Sequence, residues 1–188
     1  FRKLSNIKTI ETISILSSPK VFEIFDDFVF GQLTSEAALL GLYKFGKYKS
    51  VDNSKLHAVT KFILIGFRNK DLIEQGINSG LIIAESVNFA RDMVNDPPNH
   101  MTPTKMALLA KELESFSDNL SVEILDRKEM LDLGMGALLG VSMGSSEPPK
   151  FIVMRYFSDQ RKDSETIGIL GKGITFDSGG LDIKSASG

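Results

Sequence analysis

Residues 168–188 read GILGKGITFDSGGLDIKSASG. The apolar, β-prone run Thr166–Leu170 empties directly into a glycine-bounded loop carrying Lys172, Asp177 and Lys184. A strand that delivers a polar loop at its carboxyl end is the arrangement by which open α/β sheets hold ligands. Three physical readings compete for this loop. A phosphate-binding loop needs a glycine five residues before its Gly-Lys pair and a Ser or Thr directly after the lysine. Thr166 and Gly173 occupy those positions, so both requirements fail. Two readings stay open on spacing alone. The loop is a structural turn with solvated lysines, or it directs Lys172 and Asp177 at a common centre. A carboxylate suits a hard cation, whereas a lysine must first lose its proton, which burial and neighbouring cations favour.

Outward from the loop, strands and helices alternate, which predicts an α/β fold. The alternation of Thr9–Leu16 predicts a strand with one buried face. Thr34–Phe45 predicts a helix capped by Thr34 or Ser35. Val59–Phe67 is an apolar, β-branched run expected to be a strand buried on both faces. A helix is expected over Leu81–Asn95, ending before Pro97-Pro98. Another should start with Thr102 as cap and Pro103 in the first turn, burying Met106, Leu109 or Ala110, Leu113 and Phe116. Strands follow at Ser121–Leu125, Lys150–Tyr156 and Thr166–Leu170, with a short helix Arg127–Leu133 stopped by Gly134 and an exposed loop over Ser158–Glu165. A boundary is expected near residues 76–86, giving 1–80 as the end of one α/β domain and 81–188 as a linker helix and the start of a second.

Bulk composition narrows the function classes. The 188 residues are 42% apolar and 24% charged, enough for a buried core. A formal net charge of −2 supplies no basic surplus for nucleic acid or an anionic membrane. The chain has no cysteine, which removes disulfides, zinc-thiolate sites and thiol nucleophiles from this stretch. No apolar run approaches membrane-spanning length. Phe1 at the start and a Gly/Ser loop at the end lead to the expectation of an internal piece of a longer protein.

GKGITFDSGGLDIK closely resembles the signature of the leucyl aminopeptidase (cytosol aminopeptidase) family of two-metal exopeptidases. The similarity extends over ARDMVNDPPNHMTP (Ala90–Pro103) and GMGALLGVSMGSSEPPKFIVMRY (Gly134–Tyr156), in order and spacing over roughly residues 80–188. LLGLYKFGKYKS resembles the end of the family's N-terminal domain. The resemblance implies that Lys172 is a metal ligand, that Asp177 bridges two metals, and that Lys184 polarises the substrate carbonyl. It implies two divalent ions, zinc or manganese with cobalt or magnesium accepted, sharing an activated water, and a bicarbonate as proton shuttle. It further implies a peptide substrate with a free N-terminus, a cytoplasmic homohexamer, and no membrane or nucleic-acid partner. The alternative is a non-catalytic or DNA-binding regulatory member of the same fold.

Two positions depart from the family pattern: Asp182 stands where Ser is frequent, and Ser185 follows the second lysine in place of Pro or Ala. The family's remaining metal-binding carboxylates and its arginine lie downstream of this loop, so the 188 residues alone are expected to be inactive. Asp92 and Asp96 read as helix-end caps and surface charges. His57 and His100 have no partner at metal-ligand spacing and read as structural. The methionines of GMGALLGVSMG read as packing residues.

Overall fold

In a computed structural model the described residues are 10–50, 59–157 and 165–186. They divide into two compact units, residues 1–95 and 96–188. Both mix helices and strands, and the fold class is α/β as the alternation predicts.

In the first unit, β1 (Thr12–Leu16) pairs in parallel with β2 (Lys61–Ile65), Ser14 standing opposite Ile63. Between them runs α1 (Asp27–Leu42), and α2 (Lys70–Asn95) follows β2. A β–α–β crossover of this kind is what a parallel pair requires. The expected double burial of β2 is not found: Phe62, Ile63 and Leu64 are half-buried and Lys61 and Ile65 exposed. The described sheet has two strands, and so small a sheet leaves much of both faces uncovered.

Helix α1 also begins earlier than expected. Asp26, not Thr34 or Ser35, is the cap, its carboxylate accepting the Val29 N–H at 2.8 Å. Thr34 and Ser35 sit mid-helix, where their hydroxyls donate back to the Phe30 and Gly31 carbonyls, the alternative partner such side chains use when they do not cap. Asp27 is buried and accepts the Arg68 N–H at 2.8 Å, which ties the start of α1 to the end of β2.

The long helix α2 starts at Lys70, well before Leu81, and runs unbroken through residues 76–86. Its glycines face α1. A Cβ on Gly76 would lie 2.0 Å from the Phe28 carbonyl oxygen, and one on Gly80 would lie 2.4 Å from that of Gln32. Ser35 Oγ reaches across to the Ile77 carbonyl at 3.2 Å. At the C-terminal ends of the pair, Tyr43 donates to Asp92 at 2.7 Å and Asn95 donates to Tyr43 at 3.1 Å. The α1–α2 pair buries Ala38, Ile73 and Ala84.

In the second unit, α3 (Pro103–Glu114) starts as expected, with Thr102 Oγ1 accepting the Lys105 N–H at 3.2 Å. It packs on an antiparallel pair, β3 (Leu120–Leu125) and β4 (Phe151–Tyr156), Val122 opposite Met154. Its buried face is Ala107 and Ala110, with Met106 and Leu109 half-buried; Phe116 lies past the helix end and is 81% exposed. The stripe drawn by periodicity therefore overshoots the helix by two residues.

Two side chains of α3 serve the backbone of β3. Lys111 Nζ donates to the Val122 carbonyl at 2.9 Å, and Glu114 accepts the Val122 N–H at 2.9 Å, while the two side chains pair at 2.6 Å. Together they satisfy a strand edge that would otherwise be left open. Two short helices lie between the strands, α4 (Arg127–Asp132) and α5 (Gly136–Ser142). Gly134, at φ +69°, ends α4 as the sequence predicts. α5 lies outside the expected helices: GALLGVS carries two helix-weakening glycines, and the helix buries Leu139. The core is Met101, Ala107, Ala110, Val122, Met130 and Leu139.

Residues 165–174 form no strand, against the expectation for Thr166–Leu170. Ile167, Ile169 and Leu170 are 87%, 93% and 94% exposed. A strand needs a ladder partner, and no described segment pairs with this one. Most of the loop expected over Ser158–Glu165 lies outside the described residues, as does His57.

Candidate active site

The loop quoted at the outset is a tight hairpin. Gly179 and Ile183 form an antiparallel bridge, the Lys184 N–H donates to the Ser178 carbonyl at 2.9 Å, and the Gly180 N–H donates to the Asp182 carbonyl at 3.2 Å. Gly179 makes the turn possible. Its φ is +91°, a region closed to most side chains, and a Cβ there would lie 2.3 Å from the Asp182 carbonyl oxygen.

This turn brings together two residues seven apart in sequence. Lys184 Nζ lies 2.6 Å from Asp177 Oδ2, and the Gly179 N–H donates to Asp177 Oδ1 at 3.0 Å. Both carboxylate oxygens therefore have donors. The hydrogen bond from the Lys184 ammonium holds the Asp177 carboxyl below the usual carboxylate range. The Gly179 N–H and the Lys184 charge act in the same direction, partial desolvation opposes them, and the positive charge of Lys172 adds a smaller lowering.

Lys172 is exposed. Next to it, Gly173 lies under α3: a Cβ there would approach Met106 Sδ to 3.1 Å. Met106, half-buried on α3, thus seats the Gly-Lys-Gly segment. Asp182 points its backbone carbonyl into the hairpin, and its neighbour Ile183 is exposed.

The structure therefore joins Asp177 to Lys184 by direct contact, and Lys172 stands five residues upstream in the same loop. Sequence spacing singles out these three residues but not the seat at Met106 or the turn at Gly179. The Ser-Gly-Gly triplet marks a turn without saying which glycine takes the positive φ, and the seat at Met106 depends on which face of α3 meets the loop.

The donor set fits part of a divalent metal site. Asp177 offers an accessible hard carboxylate, and Lys172 offers a nitrogen that binds once deprotonated. Among the described residues no three His, Cys, Asp or Glu side chains converge, so Lys172 and Asp177 do not make a complete shell by themselves. Asp92 is exposed and held by Tyr43, and the His100 N–H donates to the Pro97 carbonyl at 2.8 Å in the turn before α3. A shallow cavity of about 460 Å³ in the first unit is lined by Ser17, Phe22, Gly66 and Arg68 among others, and by none of the three loop residues. Among the described residues no helix is long and apolar enough to cross a membrane.

The chain is 44% identical over 161 residues to a probable cytosol aminopeptidase of Alkaliphilus oremlandii, covering 84% of this chain and 32% of that protein. It is 42% identical over 159 residues to a probable cytosol aminopeptidase of Solibacter usitatus, covering 85% and 32%. Among solved structures, the bottromycin maturation enzyme BotP in complex with Mn superposes with a TM-score of 0.69 at 30% identity, over 84% of this chain and 31% of that one. The chain thus spans about a third of the length of the curated relatives it matches. The catalytic domain of the cytosol aminopeptidase family matches residues 88–188, more than half of the sequence and the whole of the loop built above. The chain belongs to the cytosol aminopeptidase family.

Proposed function

We propose that the full-length protein is a metal-dependent aminopeptidase that removes N-terminal residues, leucine among them, from peptides. The observation that carries this reading is the hairpin contact that sets Lys184 against Asp177 within the family-matched stretch. The manganese named with BotP supports divalent-metal dependence. In this reading Lys172 and Asp177 hold metal, with Asp177 bridging two ions, and other donors complete the shell. Zinc or manganese is the resident metal, and cobalt or magnesium substitutes at the more exchangeable position. Such ions supply, when bound, an activated water and an anchor for the free α-amine of the peptide.

The chain's own residues do the rest. Lys184 donates to the scissile carbonyl oxygen and stabilises the negative charge that develops there. Its reach is fixed by the Gly179 turn, and the Gly-Lys-Gly segment is steadied by Met106. A bicarbonate shuttling protons, a homohexamer and a cytoplasmic location belong to the same reading, as does the inactivity of residues 1–188 alone. α2 is then the helix connecting the end of an N-terminal domain to the catalytic domain.

The test is hydrolysis of leucine p-nitroanilide by full-length protein with manganese or zinc. We expect turnover that a chelator abolishes, and none with the N-acetylated substrate, whose amine is blocked. Chelator-resistant turnover, or equal cleavage of the blocked substrate, refutes the proposal.

A further inference from the structure

The bonds of the hairpin run from Asp177 to Lys184, so they place Lys184 and stop short of Lys172. What meets the Gly-Lys-Gly segment is α3. The Met106 thioether lies against Gly173, where a Cβ would be 3.1 Å from Sδ and 3.9 Å from Cε. α3 is a firm base for that contact. Thr102 caps its first turn at the Lys105 N–H, the Met106 N–H donates to the Thr102 carbonyl at 3.0 Å, and Ala107 and Ala110 are buried. At the other end Lys111 and Glu114 clamp the helix to Val122 of β3. Lys172 and Gly173 are consecutive, with Cα atoms about 3.8 Å apart, so backbone held at one is held at the other.

We propose that Met106 is a positioning residue for metal binding: its thioether fixes the backbone at Gly173 and so sets where the Lys172 nitrogen meets the ion. The assignment rests on the metal role given to Lys172 above. A ligand atom must lie within about 0.2 Å of its proper distance from the ion. With its nitrogen on an ion, the lysine stem is held at both ends, so drift of the Lys172 backbone strains the stem or stretches the bond. Removal of Sδ and Cε gives the segment room for such drift. An unbranched thioether suits the task, because it adapts its shape to the backbone it meets. The contact is one of packing, so metal affinity follows the volume at residue 106.

The experiment measures the Mn²⁺ affinity of full-length protein in competition with a chromogenic chelator. We expect Met106→Ala to bind Mn²⁺ roughly tenfold more weakly than wild type, and Met106→Leu, which keeps the volume, to stay within about twofold. Should Met106→Ala not fold by circular dichroism, Met106→Val, which lacks Sδ and Cε but keeps more of the core, takes its place. Lys172→Ala tests the metal role separately and should also weaken binding. In the Lys172→Ala background the Met106 substitution should change affinity by less than about twofold, because its effect runs through the lysine. Weaker binding in Lys172→Ala with unchanged binding in Met106→Ala overturns the positioning role and leaves the metal role standing. An undiminished loss in the double variant makes Met106 a general packing residue and overturns the proposal too. Unchanged binding in Lys172→Ala removes the metal role of that lysine, and the proposal with it.

Discussion

The Cα of Gly76 faces the Phe28 backbone so closely that a Cβ would lie 2.0 Å from the Phe28 carbonyl oxygen. Backbone cannot step aside as a side chain can, so α1 and α2 would have to separate. Gly76→Ala gains about 1 kcal/mol of helix propensity but meets an overpacking cost of about 1–3 kcal/mol or more. We expect a net loss of stability in full-length protein, read as a lower midpoint of chemical unfolding followed by far-UV circular dichroism. A raised midpoint would contradict the close approach.

Glu114 couples α3 to β3 by a charge that can be titrated. Its hydrogen bond with Lys111 and, next, that with the Val122 N–H hold its carboxyl below the ordinary value. A carboxylate whose folded pKa is depressed stabilises fully above its unfolded pKa of about 4.3, and that contribution fades as pH falls through the folded value. Glu114→Gln should therefore be less stable than wild type at pH 7. The gap should shrink on acidification below about pH 4.3. Thermal melts of both proteins across pH 3–7 measure it, and a gap that does not change with pH would refute the assignment.

Gly179 sets where Lys184 lands. Any Cβ there meets the Asp182 carbonyl at 2.3 Å and the Lys184 N–H at 3.0 Å, so Gly179→Ala should open the hairpin and displace the lysine. A displacement of about 1 Å at a catalytic group costs on the order of a hundredfold in rate. We expect kcat on leucine p-nitroanilide to fall by roughly ten- to a hundredfold. Full activity in Gly179→Ala would show that the turn does not position Lys184.

What could be read from the sequence was what local chemistry decides. Thr102-Pro103 starts α3 and Gly134 stops α4, because caps and stops depend on a few neighbouring residues. The same logic misplaced the start of α1. Thr34 and Ser35 are good caps by type, but the cap in use is Asp26, whose neighbour Asp27 is drawn inside by Arg68, 41 residues away. The boundary expected near residues 76–86 falls on Gly76 and Gly80, which the presence of α1 makes a helix contact surface instead. Thr166–Leu170 has strand composition, yet composition supplies no pairing partner. In the loop, residue types and spacing marked Lys172, Asp177 and Lys184, and the family resemblance assigned them roles. Their joining depends on a positive φ at Gly179, which a single sequence does not specify among adjacent glycines.

In the function proposed above, Lys184 acts on the substrate carbonyl of a peptide held at this loop. The measurement is kcat/KM for leucine p-nitroanilide hydrolysis by full-length protein with saturating manganese, wild type against Lys184→Ala. Loss of one donor to a developing oxyanion costs about 10²–10³ in rate, and a loss of that size is predicted with the fold unchanged by circular dichroism. Equal rates in the two proteins would contradict it.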